Sequence, residues 1–415
     1  MPPSIPPTAP MPDFEPSQFP IQPLARFQGA SASIKRPREV AHFSYDDNHE
    51  YREDDSGINY YCPPQIGADL RDGFESFRHY EDTEDPHLDS LLRTLASKER
   101  KLQAEGKDEK IKGDFVTWRG MMTKIMTAPF DNFASFEMFA TLHDSTIYIE
   151  EDFPSRLASR ASEASSRPPP RPGQASMEMM TYWGYKFETL ALTSKPPPQV
   201  SPETIANRPR DIVSNHAQHC SIIHTAFGPH SLILGGEVDG LWGPKPADPD
   251  KPIPWIELKT SEELPPPPRR KHHDVLRFER KLLKFWAQSF LLGVEKVIVG
   301  FRSRQGVLRG VDVYDTARIP GMVRRSTNCW DGNTCINFAT AFLGFLKETV
   351  KGDGIYRISL KKKAGVVEVV KVAGEGTGGI VSREFLQWRQ GGSGEGKTEK
   401  EEEDGAPKDG GGVPI

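Results

Sequence analysis

The chain has 415 residues, with 53 Lys and Arg against 58 Asp and Glu and a net charge of −5 at pH 7. That balance excludes a protein that gathers nucleic acid by its overall field, so any polyanion has to be held locally, by metal ions or a focused basic stripe. No apolar run reaches the length of a membrane-spanning helix, and no charged leader precedes an apolar core, so neither a membrane span nor a secretory signal is expected.

Residues 1–23 carry Pro at nearly every second or third position and are predicted to be disordered. Lys35-Arg36-Pro37-Arg38 is a candidate nuclear-localisation run. Leu88, Leu91, Leu92 and Leu95 fall at helical spacing and predict a helix over 88–102, and 111–150 reads as mixed strand and helix. The Ser-, Pro- and Arg-rich stretch 154–176 reads as a surface loop. Helices are predicted at 177–193 and 275–293, and strands at 231–242, 254–260, 295–302 and 355–372. Residues 389–415, Gly-rich and charged, are predicted to be a disordered tail. The remaining 24–388 form one large catalytic domain of α+β type, with mixed sheet covered by helices. Cys62, Cys220, Cys329 and Cys335 make no CxxC pair and read as reduced thiols.

The chemistry concentrates in two strand-like segments. In Leu234-Gly235-Gly236-Glu237-Val238-Asp239, alternation puts Glu237 and Asp239 on one face. Two carboxylates side by side on an apolar strand raise each other's pKa unless a cation lies between them. In Trp255-Ile256-Glu257-Leu258-Lys259, the same alternation pairs Glu257 with Lys259. Together they read E-x-D … E-x-K, the arrangement of metal-dependent nucleases of the PD-(D/E)XK type. Its carboxylates bind Mg²⁺ or Mn²⁺, hard cations that prefer oxygen, and its Lys serves the attacking water or the phosphate charge. Glu188, on the predicted helix 177–193 and one turn beyond Gly184, is a fourth acid. Four carboxylates would balance two divalent ions. Arg277, Lys281, Lys284 and Gln288 share one face of the helix over 275–293 and form a phosphate-facing stripe. Arg302 at the end of the next strand is a further phosphate contact, and Arg119 follows Trp118, an aromatic that can stack on a base.

Taken in order, Arg119, Gly184-x-x-x-Glu188, Glu237-x-Asp239, Glu257-Leu258-Lys259, Lys284-x-x-x-Gln288 and Gly300-Phe301-Arg302 resemble the DXO-type decapping and 5′-end quality-control RNA nucleases. The chain is most similar to their fungal nuclear branch, over residues 24–388. The resemblance implies two twisted mixed sheets in one domain with the active-site cleft between them. It implies two metal ions held by Glu188, Glu237, Asp239, Glu257 and the Leu258 main-chain carbonyl. Lys259 and Gln288 would lie near the scissile phosphate, Arg119 on the RNA, and Cys220 on the substrate pocket. The activities implied are pyrophosphate release from 5′-triphosphate RNA, release of unmethylated caps, and removal of NAD caps. The implied partner is a nuclear 5′–3′ exoribonuclease. Two rivals share parts of this pattern: a DNA-cutting PD-(D/E)XK nuclease, and a non-catalytic subunit that stabilises a partner nuclease.

Overall fold

The computed structural model describes residues 15–391 except 82, 108, 168–172 and 249. Strands β1 (Ser17–Pro20), β2 (Ile34–Tyr45), β3 (Tyr51–Arg52) and β4 (Tyr60–Tyr61) come first, then helix α1 (Asp89–Ala104). β5 (Phe115–Trp118) runs straight into α2 (Arg119–Thr127), and the hairpin of β6 (Phe136–His143) and β7 (Thr146–Glu151) leads to α3 (Phe153–Ser166). α4 (Met177–Ala191) passes into β8 (Leu192–Thr193), and α5 (Pro202–Asn207) precedes the hairpin of β9 (Gln218–Phe227) and β10 (His230–Glu237). Next come β11 (Gly240–Leu241), β12 (Trp255–Glu262), α6 (His272–Leu292), β13 (Lys296–Arg302) and β14 (Leu308–Asp315). The described chain is completed by α7 (Ile319–Arg325), α8 (Gly332–Thr349), β15 (Ile355–Leu360), β16 (Val366–Ala373) and α9 (Arg383–Arg389).

Two mixed sheets result. The larger has ten strands in the order β1-β16-β15-β6-β7-β5-β10-β9-β2-β3; the smaller has six, β14-β13-β12-β11-β4-β8. One apolar core joins them: Leu232 and Leu234 of β10 and Val297 and Val299 of β13 share it with α2, α6 and α8. α6 touches β10 as well as β12 and β13, so this helical layer lies between the sheets. α1 and α9 cover the opposite face of the larger sheet through Leu91, Leu95 and Phe385. α4 covers the opposite face of the smaller sheet, with Trp183 and Phe187 against Ile256, Leu258 and Ile298. No helix among the described residues is long and apolar enough to cross a membrane.

Local signals explain the element ends. The Ser176 hydroxyl caps α4 by accepting from the Met179 amide, and Gly293 ends α6 at φ 72°, a left-handed conformation that glycine adopts without penalty. The strand expected over 355–372 is a hairpin, turned between Leu360 and Val366.

Two expectations need correction. The domain does not begin at 24, because β1 pairs antiparallel with β16 and Phe19 packs on Phe27, Phe338, Phe342 and Phe345 at ring distances of 5.2–6.2 Å. Pro20 is tolerated there because β1 is an edge strand. The stretch from 154 is not all loop: Asp152 caps α3 by accepting from the Ser155 amide, and Pro154 sits in its first turn. Its Ala, Arg and Glu residues are good helix formers that the Ser and Pro content conceals. The run Lys35-Arg36-Pro37-Arg38 belongs to β2, paired with β9 and bulged where Pro37 has no amide to give. The rest of the expected disorder, residues 1–14 and 392–415, lies outside the described residues.

Because Phe19 is 7% exposed inside an aromatic cluster, Phe19→Ala is expected to cost about 3–5 kcal/mol. Denaturant unfolding measures this, and an unchanged midpoint would show that β1 contributes nothing to the domain.

Candidate metal and phosphate site

The chain leaves the larger sheet at Glu237 and joins the smaller one at Gly240. Glu237 and Asp239 bracket this crossing; they do not share one uninterrupted strand, as the alternation predicted. The Val238 amide bonds back to the His219 carbonyl at 3.0 Å, and the Leu258 amide donates to the Asp239 carboxylate at 2.5 Å. The crossing is thereby tied to β9 on one side and to β12 on the other.

Two glycines make room for it. A side chain at Gly235 would come within 2.8 Å of Leu91 and the Trp118 ring, and one at Gly236 within 2.9–3.0 Å of Leu292 and Arg119. Arg119 can therefore lie across β10 and reach Glu257 at 3.2 Å. On β12 the predicted faces hold. Ile256 and Leu258 are buried under α4, while Glu257, 1% exposed, holds Lys259 at 2.5 Å on the other face.

Glu188 is aimed by α4, whose seat is also made by glycine. At Gly300 any side chain would meet the Phe187 ring at 2.5 Å, and at Gly306 the Trp183 ring at 2.7 Å. Without side chains there, α4 lies close on the smaller sheet and turns Glu188 into the cleft, next to Glu237 and Asp239.

Electrostatics separate the four acids. Burial works to raise Glu257, and Lys259 and Arg119 overcome it, so its carboxyl stays below the usual range. Burial together with Glu257 lifts Asp239 to about 7. Burial, Asp239 and Glu237 push Glu188 well above the usual range. Glu237 opens to solvent at the cleft rim, yet loss of water among the cleft walls still raises it, against the pull of Arg119. Lys259 is held fully charged by Glu257 and Asp239 despite its own burial. Four carboxylates thus face two protein cations. Their oxygen donors and their unbalanced charge fit divalent ions of the Mg²⁺ or Mn²⁺ kind.

Beside the acids is a cavity of about 410 Å³ lined by Glu188, Glu237, Asp239, Tyr185, His219 and Asp211, among others. His219 and Tyr185 escaped the sequence reading, since a lone aromatic on a strand or helix has no spacing that marks it. His219 is neutral, held near 4 by burial.

The other expected residues are not on the wall of this cavity. Cys220, 5% exposed, is paired directly with Glu237 in the β9–β10 register and so shares its face of the sheet, close enough that Glu237 and Arg119 both act on its thiol; it packs with Phe43 and Leu91 beside the acids. Arg302 stacks on Trp183 at 4.2 Å. Lys284 is paired with Asp131 at 2.9 Å. Gln288 is half-buried on α6, which packs on both α2 and β12.

The tightest ligand-like cluster among the described residues is a different one: Asp85, His87 and Glu150, with donor atoms within 4.8 Å of one another. Here the imidazole is 3.0 Å from Glu150, whose hydrogen bond lifts His87 to about 9. A protonated imidazole opposes a cation, so this is an ion pair that also holds Trp118, whose indole donates to the His87 carbonyl at 2.8 Å.

An E-x-D crossing that delivers two acids to an E-x-K strand, with a helical Glu above them, defines a metal-dependent nuclease of the PD-(D/E)XK class. Comparison narrows this. The family described as RAI1 like PD-(D/E)XK nuclease matches residues 35–386. "Decapping nuclease RAI1" of Emericella nidulans is 47% identical over 372 residues, covering 89% of this chain and 98% of that one. Candida albicans Rai1, solved in complex with pU5-Mn²⁺, superposes with a TM-score of 0.79 at 27% identity, over 91% of this chain and 99% of that one. Scheffersomyces stipitis Rai1, solved with (3′-NADP)⁺ and calcium ion, gives 0.78 at 27% identity, over 90% and 99%. The chain belongs to the RAI1-like PD-(D/E)XK nuclease family.

The His87 pair gives a pH signature. Its folded pKa lies above the ordinary value of about 6.5, so its contribution is complete below about 6.5 and lost as pH rises through 9. Thermal melts from pH 6 to 10 are expected to fall across that window in the wild type and to flatten in His87→Asn, since Asn tolerates the positive φ of 44° found there. Parallel curves would exclude the charged pair.

Proposed function

We propose that this protein is a divalent-metal-dependent decapping nuclease that hydrolyses RNA 5′ ends and leaves a 5′-monophosphate. The observation that carries the reading is the crossing at 237–239, which sets two acids of raised pKa against a charged Glu257–Lys259 pair beside an open cavity. The relatives' names point the same way: decapping nuclease, with bound pU5, Mn²⁺, calcium ion and (3′-NADP)⁺ in the solved members.

Glu188, Glu237, Asp239, Glu257 and the Leu258 carbonyl would hold the metal ions, which when bound polarise the phosphate and lower the pKa of a coordinated water. Lys259, fully charged, faces the phosphoryl charge that grows during displacement. Arg119 keeps Glu257 ionised and reaches toward the RNA. Gln288 would approach from α6. The residues around the cleft read phosphate and offer little to read a particular base, which fits acceptance of a triphosphate, an unmethylated cap or an NAD cap. In triphosphate RNA the bond broken is the anhydride between the α- and β-phosphates, water adding to the α-phosphorus and pyrophosphate leaving. When an unmethylated or NAD cap leaves intact, the bond broken is the phosphodiester between the first and second nucleotides, and in each case the remaining RNA carries a 5′-monophosphate. A 5′-monophosphate is the end a 5′–3′ exoribonuclease consumes, and a nuclear enzyme of that kind is the proposed partner. The nuclear location rests on the resemblance, because Lys35-Arg36-Pro37-Arg38 is built into a paired strand.

With Mn²⁺, triphosphate RNA is expected to yield pyrophosphate, and an unmethylated cap to leave as an intact dinucleotide. Stepwise release of orthophosphate, or cutting of duplex DNA in preference to RNA, would overturn the reading. Asp239→Ala is expected to abolish turnover without loss of fold. Lys259→Ala should lower the rate at saturation on the order of 10²–10³-fold with little change in RNA affinity.

A further inference from the structure

The acids are held from behind by a chain of contacts that begins outside the cleft. β5 ends at Trp118, and the next residue, Arg119, opens α2. Trp118 is paired with Gly235 in the β5–β10 register. Successive side chains point to opposite faces of a sheet, so these two straddle β10. The Trp118 ring lies on Gly235 beside Leu91 of α1, and the Arg119 side chain lies on Gly236 beside Leu292 of α6. Glu237, two residues beyond Gly235, projects from the same face as the Trp118 ring. The end of β10 is thus gripped from both sides just where it delivers its first acid.

As an aromatic exposed for stacking on a base, Trp118 would be free of the core. Its ring instead packs under α1, 6.4 Å from Phe43, and its indole N–H donates to the His87 carbonyl at 2.8 Å. His87 is itself tightly fixed. Its amide donates to the Asp85 carboxylate at 2.9 Å, and its Nδ1 lies 3.1 and 3.0 Å from the two Glu150 oxygens. Its φ of 44° is a conformation that a non-glycine residue keeps where the surroundings impose it. Glu150, 4% exposed, belongs to β7, the parallel neighbour of β5. It follows Ile149, the partner of Thr117, just as Trp118 follows Thr117. An apolar pair of similar volume would hold the fold about as firmly; what the ion pair adds is a fixed place for the His87 carbonyl.

We propose that the His87–Glu150 pair, acting through Trp118, positions Glu237 and Arg119 for metal binding, so that His87 and Glu150 are positioning residues although neither lines the cavity. This rests on the reading of the four acids as the metal site. When the indole loses its anchor, the ring shifts on Gly235 and the grip on β10 loosens. Arg119 then leaves Glu257, which it helps to keep ionised, and Glu237 moves relative to the acids of the other sheet.

The test uses the full chain and the variants Trp118→Phe, Glu150→Ala and Glu150→Gln, with thermal melts to show which are folded at the assay temperature. Mn²⁺ affinity is measured by calorimetry without RNA, and kcat and KM are measured on a 5′-triphosphate RNA at saturating Mn²⁺. Trp118→Phe keeps a ring on Gly235 and lacks the N–H. It and Glu150→Ala are expected to weaken Mn²⁺ binding about tenfold or more, the effect of removing the outer support of a metal ligand, with KM within about twofold of wild type. Glu150→Gln keeps an amide oxygen that accepts from the imidazole, and its Mn²⁺ affinity is expected to stay within about threefold of wild type. Wild-type Mn²⁺ affinity in Trp118→Phe overturns the proposal, and a raised KM beside it gives the indole to the RNA. A folded Glu150→Gln with Mn²⁺ binding as weak as that of Trp118→Phe also overturns it. If Glu150→Ala does not fold, the other two variants decide. A wild type that binds Mn²⁺ yet releases no pyrophosphate overturns the 5′-end reading and leaves the positioning role to the calorimetry.

Discussion

The hydrogen bond from the Leu258 amide to Asp239 is the contact on which the rest of the site depends. It spans the place where the chain changes sheets and brings the acids of one sheet to the Glu257–Lys259 pair of the other. Each neighbouring feature serves this junction. Gly235 and Gly236 admit Trp118 and Arg119 across β10, and Gly300 admits the Phe187 ring so that Glu188 can lean in from α4. A bulkier residue at any of these positions would separate elements that have to meet within a few ångströms.

The junction is electrostatically costly. Buried carboxylates repel one another, and here only Glu257 has enough positive charge nearby to remain comfortably ionised. A scaffold would be more stable with apolar residues of similar volume in these places. Their retention beside a cavity, and not in a closed core, marks a site whose missing charge is supplied by ligands.

The Glu257–Lys259 pair was legible in the sequence because a two-residue period is read directly from the chain, and its apolar partners Ile256 and Leu258 are buried as that period requires. The long helices were legible for a similar reason: leucines at helical spacing mark α1, and Trp183, Phe187 and Leu190 mark α4. Local composition misled where a tertiary partner decides the outcome. β1 is a strand because β16 lies beside it and Phe19 finds four other rings. α3 is a helix because Asp152 caps it, a single-residue signal inside a Ser- and Pro-rich stretch.

By itself the sequence determined the chemistry: hard oxygen donors, a lysine two residues from one of them, and a basic face on α6, since residue type and short-range periodicity are properties of the chain. Only the tertiary structure decided which of these groups act together. Arg302 and Lys284 look like site residues by spacing, yet they are paired with a tryptophan face and with Asp131. His219 and Tyr185, which have no pattern, stand on the cavity wall. The reason is geometric: the site is assembled from α2, α4, β9, β10 and β12, with Arg119 and Glu257 138 residues apart, and their meeting depends on sheet crossing and on absent side chains at glycines. No local period encodes those contacts.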